Sequence, residues 1–169
     1  SATSLRTAAS ALVRAAGKCA TVATSLAGLD GVDAAKAAQA VTEGALLAAY
    51  RYAGIKREPN VSTLQQLVLV VGEPRAKGAT QGAERGRIVA DAATFARDLA
   101  NTPPAHLTAR AMADKAVAIG AASGLTVEVF DEVQLAAMGC GGILGVNRGS
   151  DEPPRMVRLR YTPRSPVGH

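Results

Sequence analysis

The sequence runs to 169 residues with a formal net charge of +5, and it is 48% hydrophobic but only 3% aromatic. No apolar run approaches the roughly 18 residues that span a bilayer, which argues against a membrane protein. Nucleic-acid binding would need a continuous basic face, and single-strand binding would need aromatic stacking platforms. The basic residues are scattered apart from Arg85/Arg87 and Arg155/Arg158/Arg160, so nucleic acid is disfavoured as a partner.

The length suits one domain or two partial ones. Much of the apolar content is alanine, which points to helices packed closely on a sheet rather than to a bulky aromatic core. The N-terminal Ser1-Ala2-Thr3-Ser4-Leu5-Arg6 has no basic stretch leading into an apolar one, so no signal peptide is expected. Cys19 and Cys140 are far apart and match no CxxC pattern; reduced, buried thiols in a cytosolic protein are expected.

Leu5, Ala8, Ala9, Leu12, Val13 and Ala16 share one face at helical spacing, so a first helix is predicted over about residues 4–16, stopped by Gly17. Residues 18–26 read as a strand, broken by Gly28, Asp30 and Gly31. Asp33 is a good N-cap for a helix predicted over about 34–55. Its apolar stripe includes Ala38, Val41, Ala45, Leu46, Ala49 and Tyr52. Gly44 lies inside, where glycine costs about 1 kcal/mol relative to alanine; close approach of another backbone would compensate. A polar loop over 57–63, with Pro59 and Asn60, leads to residues 64–72, the most strand-like run in the chain. Its continuous apolar end predicts burial on both faces, as in the middle of a parallel sheet. Two strands alone make a poor sheet, so missing sheet neighbours are expected.

Residues 74–82 read as a loop of glycine and charge. A long helix is predicted over about 83–100, with Ile88, Ala92, Phe95 and Leu99 as its apolar seam and Arg87 paired with Asp91 on the outer face. At about 1.5 Å per residue it would be nearly 30 Å long, enough to bridge two domains. Thr102 precedes Pro103, which disfavours helical geometry, and Pro104 reinforces the break. Asn101 suits the freed backbone groups at the helix end. Thr108 then caps a helix predicted over 109–122, with Met112, Ala113, Ala116, Val117 and Ile119 on its apolar side and Gly124 ending it. Residues 125–130 alternate as a strand, and Asp131 caps a short helix through Met138. Gly139 to Gly142 interrupts it, and Ile143 to Ser150 continues to a turn. After Pro153-Pro154, residues 156–161 alternate as a final strand. Helix, strand, helix and strand with short connections give a second α/β unit.

The stretch Ala96-Arg97-Asp98-Leu99-Ala100-Asn101-Thr102-Pro103-Pro104-Ala105-His106-Leu107-Thr108, read as ARDLxNTPPxHLT, resembles a junction in the leucine (cytosol) aminopeptidases. There a long helix leaves a non-catalytic N-terminal domain and enters the metallopeptidase domain. Glu43 to Tyr52, with Lys56 beyond, is similar to that family's EGxLLxxYxF followed by a lysine; Tyr52 stands where phenylalanine is usual. Residues 125–163 resemble its LxVxVxDexxLxxxGmGxxLxVxxGSxxPPrxxxlxYxP, with Cys140 where methionine is common. The resemblance is specific over residues 85–163 and looser over 43–56.

The resemblance implies an α/β fold in three parts. These are a partial accessory N-terminal α/β domain over 1–78, an interdomain linker helix over 79–102, and the opening α/β units of the metallopeptidase domain over 103–169. It also implies a cytoplasmic homo-hexamer that releases N-terminal amino acids from peptides, with two divalent metal ions, manganese or zinc, per full-length subunit. In the family, aspartates, a glutamate and a lysine hold the metals, in motifs such as VGKGxTFDSGG and NTDAEGR. Neither motif occurs here. The expectation is therefore that this chain carries no catalytic, cofactor-binding or metal-binding residue, is inactive alone, and is truncated at both ends relative to the family.

Few residues could carry chemistry by themselves. Gly139-Cys140-Gly141-Gly142 lacks the Gly-Lys-Ser/Thr ending of a phosphate loop and follows a helix, so it reads as a packing turn. His106, the one internal histidine, has no partners at ligand spacing and reads as a cap or surface residue; His169 is terminal. Asp131-Glu132 reads as helix capping. Asp151-Glu152 reads as a solvated loop, because adjacent side chains point apart. Cys140 has no histidine or basic activator near it in sequence. The alternative to an aminopeptidase is a stand-alone binding or structural module of the same fold, with nucleic acid as its leading ligand.

Overall fold

The computed structural model describes residues 1–55, 57–58, 61–163 and 165. Lys56, Pro59, Asn60 and His169, named above, lie outside the described residues. The fold is α/β, and the chain divides into two compact units, Ser1–Asn101 and Thr102–His169.

In the first unit, helix α1 covers Ala2–Ala16, with the Ser1 hydroxyl accepting from the Ser4 N–H at 3.3 Å and Gly17 ending it. Strand β1 is shorter than expected, Thr21–Thr24, because Leu26–Gly28 turns into a 3-10 helix. The Thr24 hydroxyl accepts from the Leu26 N–H at 3.2 Å, and such local side-chain bonds compete with the strand ladder. Helix α2, Ala34–Ala49, starts at the expected cap: the Asp33 carboxylate accepts from the Lys36 N–H at 3.0 Å.

Helix α2 stops well short of residue 55, because its last carbonyls are taken by side chains. Arg97 donates to Leu47 O at 3.1 Å, Arg51 donates to Ala48 O at 3.0 Å, and Tyr50 turns out with ψ 133°. Strand β2, Gln66–Leu69, runs parallel to β1, with Val22 opposite Leu67 and Thr24 opposite Leu69. The parallel pairing needs a long crossover, which α2 supplies. Contrary to expectation, β2 is not buried on both faces. Gln66 is exposed, Leu67 to Leu69 are half-buried and Val70 is 55% exposed, because β1 is its only partner among the described residues.

Helix α3 covers Glu73–Asn101, so the loop expected over 74–82 is helical instead. Pro74 falls in the first turn, where its missing N–H would have had no intrahelical partner. The buried stripe of α3 is Ala79, Gly82, Gly86 and Ala90, not the expected seam. Ile88 is 58% exposed, Ala92 is exposed, and Phe95 and Leu99 are only half-buried. The reason is closeness to α2. A Cβ on Gly82 would overlap the Ala35 carbonyl, and one on Gly86 would sit 2.8 Å from Gln39 O. Gly44 behaves as expected for close approach: a Cβ there would overlap the Arg6 carbonyl of α1. The core is correspondingly built from small residues, with Leu5, Ala9 and Val13 of α1 against Ala37, Ala38, Val41 and Ala45 of α2, and Ala27 and Ala79 at its edge. On the outer face of α3, Arg87 pairs with Asp91 at 3.1 Å, as expected.

In the second unit, helix α4 covers Ala109–Ser123. The Thr108 hydroxyl accepts from the Ala111 N–H at 3.3 Å, and Gly124 closes the helix at φ 67°, a left-handed position that favours glycine. Ala113 is buried on its inner side, but Met112 and Val117, expected there too, are exposed. Strand β3, Thr126–Phe130, pairs antiparallel with β4, Met156–Arg160. Glu128 stands directly opposite Arg158 and forms an ion pair with it, and the Arg158 guanidinium lies 5.7 Å from the Phe130 ring centre. Between the strands come α5, Glu132–Ala137, and α6, Gly141–Asn147. The latter corrects the expectation that Gly139 to Gly142 breaks helical structure: the break is confined to the turn at Gly139 and Cys140. Leu135 of α5 is fully buried and Val146 of α6 is 91% exposed.

Candidate functional site

Of the residues singled out from sequence, the structure brings Glu132 and Gly141 together on one cavity, beside Asn147, Arg148 and Ser150. His106 is an exposed residue of the turn after Pro103, its N–H donating to Pro103 O at 2.9 Å. Asp131 caps α5 in a reciprocal box: its carboxylate accepts from the Gln134 N–H at 2.9 Å, and its own N–H donates to Gln134 Oε1 at 2.9 Å. Asp151 and Glu152 are exposed in a loop tied by the Glu152 N–H to the Ser150 hydroxyl at 3.1 Å. Gly139 takes φ 70° at the end of α5, while Cβ atoms on Gly141 and Gly142 would meet nothing within 4 Å. Gly139 and Cys140 therefore form a turn and Gly141 and Gly142 open α6, with no close packing at any of the three glycines. Both thiols are free and neither is buried as expected, Cys19 being exposed and Cys140 half-buried. Among the described residues, no three His, Cys, Asp or Glu side chains come together to hold a metal ion.

Two polar clusters do form, both inside the first unit. Arg6 donates through Nε and Nη2 to Glu43 Oε2 at 2.9 and 2.6 Å, and Gln39 donates to Oε1 at 2.8 Å. The Glu43 side chain is only 7% exposed. Burial pushes its carboxyl up, but the hydrogen bonds from Gln39 and Arg6, with the Arg6 charge, outweigh that and hold it below the usual 4.5. With both oxygens engaged, Glu43 fastens α1 to α2.

The second cluster centres on Tyr50, just past the end of α2. Its hydroxyl donates to Asp98 Oδ1 at 2.7 Å and accepts from Asn101 Nδ2 at 3.1 Å, and the Arg97 guanidinium lies 5.5 Å from its ring centre. Burial, and then the hydrogen bond to Asp98, push the hydroxyl above its usual range. Asn101 thus serves a side chain rather than the backbone end of α3. Among the bonded partners, only Gln39 and Glu43 are at helical spacing, four apart; the others lie 37 residues apart in one cluster and 48 and 51 apart in the other, beyond the reach of periodicity. The one sequence signal is that Tyr50 lies in the first family-like stretch, and Arg97, Asp98 and Asn101 in the second.

Residues 94–168 match the family model described as "Cytosol aminopeptidase family, catalytic domain", and residues 1–59 match that described as "Cytosol aminopeptidase family, N-terminal domain". A probable cytosol aminopeptidase of Rhodococcus jostii (strain RHA1) is 40% identical over 163 residues, covering 94% of this chain and 31% of the relative. One of Mycobacterium leprae (strain TN) is 39% identical over 158 residues, covering 92% of this chain and 30% of the relative. Among solved structures, the bottromycin maturation enzyme BotP in complex with Mn matches with a TM-score of 0.82 at 38% identity, over 97% of this chain and 34% of that one. A mutant tomato leucine aminopeptidase reaches the same TM-score of 0.82 at 21% identity, over 98% of this chain and 34% of that one, which speaks to the fold alone. The chain thus spans about a third of the length of the relatives it matches, the shares being 31% and 34%. Nothing in these matches supports the nucleic-acid alternative. The two matched models are the two domains of one family and together take in most of the chain, which belongs to the cytosol aminopeptidase family.

Proposed function

We propose that this chain works as part of a metal-dependent leucyl aminopeptidase that releases N-terminal amino acids from peptides in intracellular protein turnover. The observation that carries this reading is the pair of family matches, one to each domain of a cytosol aminopeptidase. Relatives named as cytosol aminopeptidases support a cytoplasmic setting, and among the described residues no helix is long and apolar enough to cross a membrane. The metal would be manganese or zinc, two ions per full-length subunit; the BotP structure, solved with Mn, supports a divalent ion.

The side chains described here do not fit a metal centre. We infer that the catalytic residues lie in the remaining length that the relatives have, and no step of the reaction is assigned to the side chains described here. In this reading residues 1–78 belong to an accessory domain, 79–102 form a linker helix and 103–169 open the catalytic domain. The role of the chain itself is architectural, including support of subunit contacts in a homo-hexamer.

The test begins with the intact mass of the natural gene product, followed by leucine release from a leucyl peptide with added manganese or zinc. A product much heavier than 17.1 kDa that cleaves only with metal is the expected result, with the 169-residue chain inactive beside it. A complete, metal-loaded product that releases no leucine would overturn the reading.

A further inference from the structure

The last turn of α3 lacks two of the features that commonly stabilise a helix end. It has no basic residue, and Asp98 sits at the negative end of the helix dipole, where a carboxylate is unfavourable. Asn101 is followed by Thr102 and Pro103, and a residue before proline is pushed away from helical geometry. No glycine follows to close the helix. By these local terms the helix should fray several residues before Asn101, yet it is helical throughout.

The compensation comes from outside the helix. Asp98 and Asn101 are three residues apart and so share a face. Both reach the same Tyr50 hydroxyl, one as acceptor at 2.7 Å and one as donor at 3.1 Å. One oxygen thus spans the last turn from side to side, which requires that turn to be helical. Arg97 sits beside them, over the Tyr50 ring, with its Nη1 on Leu47 O of α2. Arg97, Asp98 and Asn101 therefore grip the end of α2, and the end of α2 holds the last turn of α3.

We propose that Tyr50 is a positioning residue for the end of α3: it holds residues 98–101 helical and so fixes the point where the chain leaves the helix for Thr102-Pro103-Pro104. The clasp is a conformational device of the first unit and does not depend on the enzymatic reading above. Its key part is the hydroxyl, which donates and accepts at once, so a phenylalanine loses both bonds while keeping the ring and its contact with Arg97.

The test is amide hydrogen exchange in the 169-residue chain, comparing the natural sequence with Tyr50→Phe and Asn101→Ala. In Tyr50→Phe the amides of residues 98–101 should exchange roughly tenfold faster, with those of residues 79–90 unchanged. Asn101→Ala removes one of the two bonds and should give the same local pattern at smaller size. Unchanged exchange at 98–101 would overturn the proposal, as would acceleration spread evenly over α2 and α3, which would make Tyr50 only a packing residue. If Tyr50→Phe does not fold, Asn101→Ala alone decides between these outcomes.

Discussion

At the scale of single residues, Glu43 is the unusual one, a charge inside an alanine-rich core. Its carboxyl titrates lower in the folded state than in the unfolded chain. It therefore contributes stability that is fully present above the unfolded value of about 4.5 and is lost as pH falls through the lower folded value. Glu43→Gln should cost about 1–2 kcal/mol at pH 7, discounted because Arg6 is partly in water. The deficit should shrink when denaturation is repeated near pH 3; an equal deficit at both pH values would mean the charge is not what matters. Gly82 is the second such residue. Gly82→Ala adds one methyl group against the Ala35 carbonyl and should cost about 1–3 kcal/mol in urea denaturation, although alanine is the better helix former.

At the scale of elements, α3 shows what sequence reveals and what it hides. Its end at Asn101 is marked by two prolines, and Asp33, Thr108 and Asp131 are caps legible from residue type and position alone. The expected seam through Ile88 was wrong because hydrophobic spacing rewards bulk, whereas this contact selects for its absence. Gly78 and Gly82, which look like loop residues in one dimension, are spaced four apart to let another helix come close. Ile88→Ser should therefore leave stability within about 0.5 kcal/mol, since the side chain is 58% exposed. A loss above 2 kcal/mol would restore the seam. Asp131→Ala removes the bond that its carboxylate accepts from the Gln134 N–H and should cost the second unit about 1 kcal/mol, measured as earlier melting of α5. The Arg6–Glu43 and Tyr50–Asp98 pairs could not be read ahead of the fold, because each joins residues far apart in the chain.

At the scale of the whole molecule, each unit has its own sheet of two strands, and such small sheets depend on the helices packed on them. Two units with separate cores should respond separately. Gly82→Ala should change hydrogen exchange in residues 1–101 and leave residues 109–160 alone, and Asp131→Ala should do the reverse. Transmission of either effect across Asn101 would show that the units fold as one. Family membership was legible in residues 43–56 and 85–163. Those two stretches meet at one tyrosine, which no spacing rule foretold.

The alanine and glycine contact between α2 and α3 also constrains how this part of the chain can drift. A single-base change that alters a glycine codon gives only a larger residue or a stop, and one that alters an alanine codon usually gives a larger residue. Chance variation along this contact therefore inserts atoms where there is no room, and trimming offers no relief. Compensation would have to come from the facing helix, where the atoms met at Gly82 and Gly86 are largely the backbone of Ala35 and Gln39, which no substitution removes, so the two stripes can change only by moving apart.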